Sequence, residues 1–374
     1  MKIARTTATP FRLRLREPLE TAHGTVSERE GFLLALFLDD GTVGFGEATP
    51  LPGFGAESVA SCAAALEAIA KPLLGRDPRA LGERLDDVEA SAPFAPAARA
   101  AADAALHDLA ARIEDRSVAA MLAGARRVPR QQIPVNALLS GRMAADVEAQ
   151  ARRAVAEGFG TLKLKVGFDP EGDLARVAAA KRACGPTTRI RIDANGAWGE
   201  IEARRFLERL ARFDLEWVEQ PVPALDLAAF ARLRRVSPVP LAADESVSGE
   251  DAARRVLAGG CADVLVLKPS ILGGLRSARR IALAAERAGT DVVVTSLLDS
   301  GLGIAAAAHL AASLPGSRHA AGLATQGLLV EDLIDPLDIT DGSLQLPRGS
   351  GFGVAPCPRR LARLALAPAQ ERVA

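Results

Sequence analysis

The strongest constraint on the fold is a strand-and-helix period that begins near residue 133. Seven short runs rich in Leu or β-branched residues recur at intervals of 22 to 29 residues, and an Arg-, Ala- and Leu-rich helical stretch follows each; they start at Ile133, Thr161, Arg189, Leu215, Pro240, Ala262 and Asp291. A weaker run near His319 would add an eighth. Such a period requires parallel strands joined by crossover helices. Seven or eight units predict an α/β fold of the TIM-type (β/α) barrel class rather than an open sheet.

The chain before this period has a different pattern. Alternating polar and apolar residues at 2–15 and 31–46 predict antiparallel strands, and Ala-rich stretches at about 56–74 and 96–115 predict helices. We therefore expect an α+β domain over residues 1–128, the barrel over 129–345, and a C-terminal segment, 346–374, that packs back on the first domain.

Charge and composition exclude several classes of protein. Lys+Arg and Asp+Glu both number 46, so the formal net charge is zero, and neither nucleic acid nor an anionic membrane is expected as a partner. No apolar run approaches the roughly 18 residues of a membrane span, and the N-terminus reads as a strand rather than a signal peptide. The four cysteines have no paired spacing, so reduced thiols and a cytoplasmic location are expected.

Three acids stand at the carboxyl ends of three successive runs. Asp193, Glu219 and Asp244 are 26 and 25 residues apart, one repeat each, so barrel geometry should bring them to one point. Unneutralised, they would repel one another and raise one another's pKa, and a hard divalent cation would remove that repulsion. Oxygen-only ligands favour Mg²⁺, with Mn²⁺ as a substitute. For each acid alone, a helix cap or an Arg salt bridge is the competing interpretation.

Lysine is rare, because only six of the 46 cations are lysines, yet three of the six lie on predicted strands. Lys163 and Lys165 alternate with leucines and should both point into the barrel, and Lys268 ends the sixth run, diametrically opposite. Opposed amines beside a metal suit removal of a proton α to a carboxylate. Ordinary lysine is neutral in roughly one of two to three thousand molecules at pH 7, a handicap of about 4.6 kcal/mol that neighbouring cations reduce. The alternative for these lysines is a solvated surface position.

These residues together resemble the enolase superfamily in its muconate-lactonizing branch. The motifs are Lys163-Leu164-Lys165, Asp193-Ala194-Asn195, Glu219-Gln220-Pro221, Asp244-Glu245-Ser246 and Lys268-Pro269-Ser270. The resemblance implies an N-terminal capping domain on a modified (β/α)₇β barrel and a small carboxylate substrate, and it allows a homo-oligomer. It also implies that the three acids bind Mg²⁺, that Lys165 and Lys268 are the acid/base pair, that Lys163 assists Lys165 and that Asn195 lies around them.

Within this branch, three stretches of the sequence resemble the o-succinylbenzoate synthases, a group of lyases in menaquinone biosynthesis. They are residues 46–54, 267–274 and 321–325. The resemblance implies loss of water from 2-succinyl-6-hydroxy-2,4-cyclohexadiene-1-carboxylate, with Leu51 and Phe54 of a capping loop excluding water. Ser296 and Gly322 are further expected substrate neighbours.

Other activities of the branch stay open to different degrees. Dipeptide epimerases usually carry an Asp-x-Asp pair near the eighth strand, and residues 320–325 contain no acid. N-acylamino acid racemases commonly carry an Arg where this chain has Ile271, although both opposed lysines are present. Muconate cycloisomerase uses the same catalytic set. Ala324 and the stretch 297–299 depart from the synthase pattern. A Schiff-base aldolase or a non-catalytic binding barrel are the remote alternatives.

Overall fold

The structure is a computed structural model that describes residues 1–21, 24–51, 57–125, 127–316 and 318–374. The N-terminal part is an antiparallel sheet covered by helices. Its strands are β1 (Ile3–Thr21), β2 (Gly24–Leu38) and β3 (Val43–Ala48). Its helices are α1 (Val59–Leu73), α2 (Leu81–Ser91), α3 (Pro96–Ile113) and α4 (Val118–Ala123). The two predicted long strands and the two predicted helices are present, whereas α2 was not predicted. Five of its eleven residues are charged and only three are buried, so its apolar face is narrow.

Helix α3 lies directly against β3 because two glycines allow a close approach. A Cβ at Gly46 would collide with the Ala101 carbonyl oxygen, and one at Gly44 would collide with that of Ala105. The helix is buried nearly all round, and its Asp103 reaches the barrel, where the carboxylate accepts hydrogen bonds from the Leu275 and Arg276 amides at 2.7 and 3.2 Å. A carboxylate at a helix N-terminus complements the unpaired amides there.

The second part is the predicted barrel of parallel strands and intervening helices. The strands are β4 (Gln132–Pro134), β5 (Ala137–Leu139), β6 (Thr161–Lys165), β7 (Arg189–Asp193), β8 (Trp217–Glu219), β9 (Leu241–Ala243), β10 (Val264–Leu267) and β11 (Asp291–Val294). The helices are α5 (Ala144–Ala156), α6 (Pro170–Ala183), α7 (Glu200–Leu210), α8 (Leu227–Val236), α9 (Glu250–Ala258), α10 (Pro269–Leu272), α11 (Leu275–Arg287) and α12 (Gly301–Ser313). Strands β5 to β11 form one parallel sheet in sequence order, which confirms the predicted fold class.

Two details of the barrel differ from the predicted pattern. The first run is divided, because β4 pairs antiparallel with β13 (Ser343–Gln345) next to β12 (Ile339–Thr340), and only β5 joins the barrel. The eighth position is two residues rather than a strand. Ala321 bridges to Val135 and Gly322 to Thr295, both in parallel, so this pair closes the gap between the first and seventh strands.

The C-terminal segment returns to the first sheet. Helix α13 (Pro358–Leu364) contacts β1, and β14 (Gln370–Val373) pairs antiparallel with β1 at the edge of the sheet. Phe11, Leu13 and Leu33 of the N-terminal sheet belong to the same apolar core as the barrel residues. Among the described helices, none combines the length and the apolar character that a membrane crossing would require.

Candidate active site

Three buried carboxylates meet at the carboxyl ends of adjacent barrel strands. Asp193 ends β7, Glu219 ends β8 and Asp244 directly follows β9. The strand register sets Asp193 beside Glu219 and Glu219 beside Ala242, so the ends of the strands are level. The side chains are at most 2% exposed, and each offers a carboxylate oxygen within 4.8 Å of the others. We call these three residues the acidic triad.

Two lysines approach the triad from β6. Lys163 Nζ lies 2.6 Å from Glu219 Oε1 and 3.0 Å from Asp193 Oδ2, and Lys165 Nζ lies 3.0 Å from Asp193 Oδ2. Leu162 and Leu164 alternate with them and are fully buried in the apolar core. The alternation of a β-strand thus directs both ammonium groups into the barrel.

Lys268 approaches from the opposite side. It follows β10, and its Nζ lies 2.6 Å from Asp244 Oδ1 and 2.5 Å from Asp244 Oδ2. Strands β7, β8 and β9 lie between β6 and β10 in the sheet. The acidic triad therefore lies between Lys165 and Lys268, the two lysines that the sequence suggests as an acid/base pair.

Electrostatics around the triad depend on the balance between burial and these lysines. Burial, together with the charge of Asp193, raises the pKa of Glu219 to about 7. Burial would also raise the pKa of Asp193, but the nearby charges of Lys163 and Lys165 hold it below its usual range. Burial alone would lower the pKa of Lys163, yet the charges of Asp193 and Glu219 outweigh it and raise that pKa.

The triad fits a hard divalent cation. It is a compact set of oxygen donors without nitrogen or sulfur, and three buried carboxylates need positive charge nearby to stay ionised. The three ammonium groups supply that charge in this structure. Asp193, Glu219 and Asp244 are the residues that would hold Mg²⁺ or Mn²⁺, and the cation would take over part of this neutralisation.

Asn195 connects the lysine and acid networks. Its backbone has φ of 46°, in the left-handed region, where Asn is better tolerated than most residues. Its Oδ1 accepts from Lys165 Nζ at 2.7 Å, and its Nδ2 donates to Glu245 Oε1 at 2.8 Å. The Asn195 side chain therefore orients Lys165. Glu245, next to Asp244 in sequence, had no role assigned from the sequence although it forms part of a quoted motif.

A second residue in the left-handed region, Gln220, aligns the ends of β8 and β9. Its Oε1 accepts from the Asp244 amide at 3.0 Å and the Ser246 amide at 3.1 Å, and its Nε2 donates to Ser246 Oγ at 2.9 Å. Gln220 has φ of 41° and is fully buried. It thereby fixes the backbone that carries Asp244, a role that the sequence motif did not reveal.

A cavity of about 110 Å³, partly open to solvent, lies above the lysines and the triad. Of the residues expected near the substrate, Leu51, Ser296 and Gly322 line it, whereas Phe54 of the expected capping loop lies outside the described residues. Sequence reasoning did not find the other neutral lining residues, which are Leu19, Val26, Asn136, Leu138, Thr295, Leu297, Leu298, Ala324 and Thr325. Leu19 and Val26 come from the N-terminal sheet, so both parts of the chain form the cavity.

Away from the triad and the lysines, the described polar lining of this cavity is uncharged. Ser296 Oγ and Thr325 Oγ1 lie 2.7 Å apart, and Asn136 Oδ1 and Thr295 Oγ1 are buried without a hydrogen-bond partner among the described groups. Among the described lining residues, the only acids are Asp193 and Asp244 and the only cations are the three lysines. The part of the cavity away from the triad thus offers hydroxyl, amide and apolar contacts.

Comparison with known proteins agrees with this architecture. Residues 146–360 match the family described as "Enolase C-terminal domain-like", and residues 3–123 match "Mandelate racemase / muconate lactonizing enzyme, N-terminal domain". A chloromuconate cycloisomerase of Cupriavidus necator is 32% identical over 360 residues, which cover 95% of this chain and 96% of that protein.

Two further relatives differ from it in named activity. An o-succinylbenzoate synthase of Thermobifida fusca is 43% identical over 251 residues, which cover 66% of this chain and 75% of that protein. The crystal structure of an N-succinyl Arg/Lys racemase from Bacillus cereus superposes with a TM-score of 0.93 at 26% identity and covers all of both chains. The chain belongs to the enolase superfamily, in its muconate cycloisomerase branch.

Proposed function

We propose that this protein is a Mg²⁺-dependent dehydratase that converts 2-succinyl-6-hydroxy-2,4-cyclohexadiene-1-carboxylate to o-succinylbenzoate and water. As part of the same proposal, the reaction belongs to menaquinone biosynthesis and runs in the cytoplasm. The observation that carries the proposal is the position of Lys165 and Lys268 on opposite sides of the acidic triad. This arrangement suits chemistry at a carbon next to a carboxylate, because a base and a second cation then face the same reacting centre.

The reaction needs one base that becomes an acid. Lys165, in its neutral form, takes the proton from ring carbon 1, next to the carboxylate, and the electron pair of that bond spreads over the ring and the carboxylate oxygens. The bond between carbon 6 and the hydroxyl then breaks, and Lys165 returns its proton to the departing hydroxide, which leaves as water. The new double bond between carbons 1 and 6 completes the aromatic ring, so atoms and electrons balance.

The remaining residues stabilise charge and orient the base. Lys268 stays protonated and faces the anion that forms in the ring, partly as a cation over a π system. Lys163 binds the substrate carboxylate, and Asn195 holds Lys165 at 2.7 Å so that its Nζ has a fixed direction. When bound to the triad, Mg²⁺ supplies positive charge that stabilises the negative charge developing on the substrate carboxylate oxygens.

The choice of this substrate within the branch has two supports. The o-succinylbenzoate synthase relative is 43% identical, against 32% for the cycloisomerase relative, although over a shorter stretch. In addition, the described cavity lining outside the triad contains no acid, so a substrate with an ammonium group would find no partner there. A neutral ring with oxygen substituents fits this lining better.

A racemase of N-acylated amino acids is the second candidate. One lysine on each side of the triad is the arrangement that removes a proton from one face of an α-carbon and returns it to the other. The full-length likeness to the N-succinyl Arg/Lys racemase adds weight to it. The uncharged lining argues against a cationic side chain in the substrate.

The test is to compare substrates in one preparation. Purified protein with Mg²⁺ is incubated separately with the cyclohexadiene substrate, N-succinylamino acids, a dipeptide and cis,cis-muconate. Each reaction is monitored by ultraviolet absorbance or by optical rotation. We expect the largest kcat/KM for the cyclohexadiene substrate and loss of activity with EDTA. Racemisation of N-succinylamino acids without any aromatisation would reject the dehydratase in favour of the second candidate.

A further inference from the structure

Asp299 is a buried acid that joins three distant segments of the chain. It follows β11 and is 3% exposed. Its Oδ1 accepts from Thr49 Oγ1 at 2.9 Å, and its Oδ2 accepts from the Leu297 amide at 3.0 Å and from Ser270 Oγ at 3.3 Å. We call Asp299 with Thr49, Ser270 and Leu297 the Asp299 junction. It links the N-terminal domain to the ends of the sixth and seventh barrel strands.

Glu47 strengthens the same contact between the domains. It lies near the end of β3 and accepts hydrogen bonds from the Ser300 amide at 2.9 Å, from the Gly303 amide at 3.1 Å and from the Ser300 hydroxyl. These amides belong to the N-terminus of α12, where donors lack partners within the helix. A side chain of the N-terminal domain thus caps a barrel helix, directly beside Asp299.

Arg29 fixes the segment that carries Thr49. Its guanidinium is buried and donates to the carbonyl oxygens of Thr49 at 2.6 Å and Pro50 at 3.2 Å. The backbone around Thr49 is therefore held by Arg29, while its hydroxyl is held by Asp299. Leu51, which lines the cavity, follows only two residues later.

Each segment of the Asp299 junction carries part of the cavity wall. Ser270 lies two residues after Lys268, and Leu297 and its neighbour Leu298 line the cavity themselves. Leu298 has φ of 59°, a conformation that L-residues other than Asn and Asp rarely adopt. Such a conformation persists only where its surroundings hold it, and here the hydrogen bond from the Leu297 amide to Asp299 supplies that restraint.

We propose that Asp299 is a positioning residue that sets the distance between three walls of the cavity, namely Leu51, Lys268 and the Leu297–Leu298 turn. It touches no reacting atom. Its contribution is to hold the N-terminal domain against the barrel in the arrangement that binds substrate, so its loss impairs substrate binding more than the chemical step. This inference rests on the cavity being the active site of the proposed function.

The test uses Thr49→Val, which removes the hydroxyl that joins the two domains while retaining the shape of the side chain. The conservative variant Thr49→Ser restores the hydroxyl. Ser313→Ala is the matched control, because it removes a buried hydroxyl at the far end of α12, where Ser313 Oγ donates to Leu310 O. We expect Thr49→Val to raise KM about 3- to 10-fold and to leave kcat within twofold of the wild type. A tenfold rise in KM corresponds to a loss of about 1.4 kcal/mol of binding free energy. Thr49→Ser and Ser313→Ala should both keep the wild-type KM.

Hydrogen exchange gives a second readout that needs no substrate. In Asp299→Asn, the amide of Leu297 loses a charged acceptor, and we expect it to exchange at least tenfold faster than in the wild type. Unchanged exchange at the Leu297 amide would overturn the inference. So would a KM for Thr49→Val within twofold of the wild-type KM, or a Thr49→Ser variant whose KM rises as much as that of Thr49→Val. Absence of turnover on every substrate would reject the proposed function instead, and the exchange experiment would still decide whether Asp299 holds the turn.

Discussion

The buried Glu47 makes a sharp prediction about stability and pH. Burial, with the charge of Asp299 next in size, raises the pKa of Glu47 from 4.5 to about 8, although hydrogen bonds from Ser300 oppose the shift. Asp332 adds a smaller raising effect, and Arg29 is the cation facing the pair. Glu47 in the folded protein therefore keeps a proton between about pH 4.5 and 8 that it loses when the chain unfolds.

The sign and size follow from this difference. Where the folded state binds the extra proton, the free energy of unfolding falls as pH rises, by about 1.4 kcal/mol per pH unit for one full proton. For a folded pKa of about 8, the loss between pH 6 and pH 8 is about 2 kcal/mol, since the proton is half released at the upper end. Glu47→Gln mimics the protonated acid and should lack this loss, so it gains about 2 kcal/mol over the wild type across that range.

Urea unfolding followed by circular dichroism at pH 6, 7 and 8 measures the effect. The difference between the wild type and Glu47→Gln is the relevant quantity, because Glu219 and other titrating groups that do not face Glu47 are present in both proteins and cancel. Glu208→Gln, on the surface of α7 with a side chain 62% exposed, is the control for the substitution itself. A difference that stays constant from pH 6 to 8, or a wild type that gains on the variant as pH rises, would refute this reasoning.

Three other predictions concern the catalytic groups and the packing within the N-terminal domain. Lys165→Arg should abolish turnover with unchanged circular dichroism because Arg stays protonated and cannot act as the base, and Lys268→Arg should do so because the planar guanidinium differs in shape from the ammonium group. Lys181→Arg, in the last turn of α6, should be normal. Near-normal rates in either active-site variant would remove that lysine from the mechanism. Asp193→Asn should weaken Mg²⁺ binding at least tenfold in calorimetry, and unchanged affinity would discredit Asp193 as a ligand. Gly46→Ala should lower the free energy of unfolding by about 1–3 kcal/mol, because its Cβ collides with the Ala101 carbonyl; wild-type stability would show that α3 can move away from β3.

The barrel could be predicted because its strands and helices repeat. Lys163 and Lys165 alternate with buried leucines, and Asp193, Glu219 and Asp244 recur once per unit, so local patterns alone indicate where they converge. The eighth position could be placed only roughly, near His319. Its two residues, Ala321 and Gly322, pair through the backbone, and backbone pairing has no side-chain pattern in the sequence.

The cavity walls could not be predicted in the same way. Leu19 and Val26 look like ordinary strand residues, and nothing in the sequence indicates that they reach a barrel more than a hundred residues away. The Asp299 junction has the same character, since Thr49 and Asp299 are 250 positions apart. The stretch 297–299 was noted only as a departure from the synthase pattern. Such contacts depend on how the two domains pack, which local sequence does not encode.

The most direct test of the account is anomalous diffraction from crystals soaked in Mn²⁺. The central claim is that Asp193, Glu219 and Asp244 together bind a divalent cation between Lys165 and Lys268. It predicts one strong Mn²⁺ peak coordinated by carboxylate oxygens of all three residues. A triad without a peak in fully soaked crystals, with the lysine ammonium groups still hydrogen-bonded to the carboxylates, would contradict it.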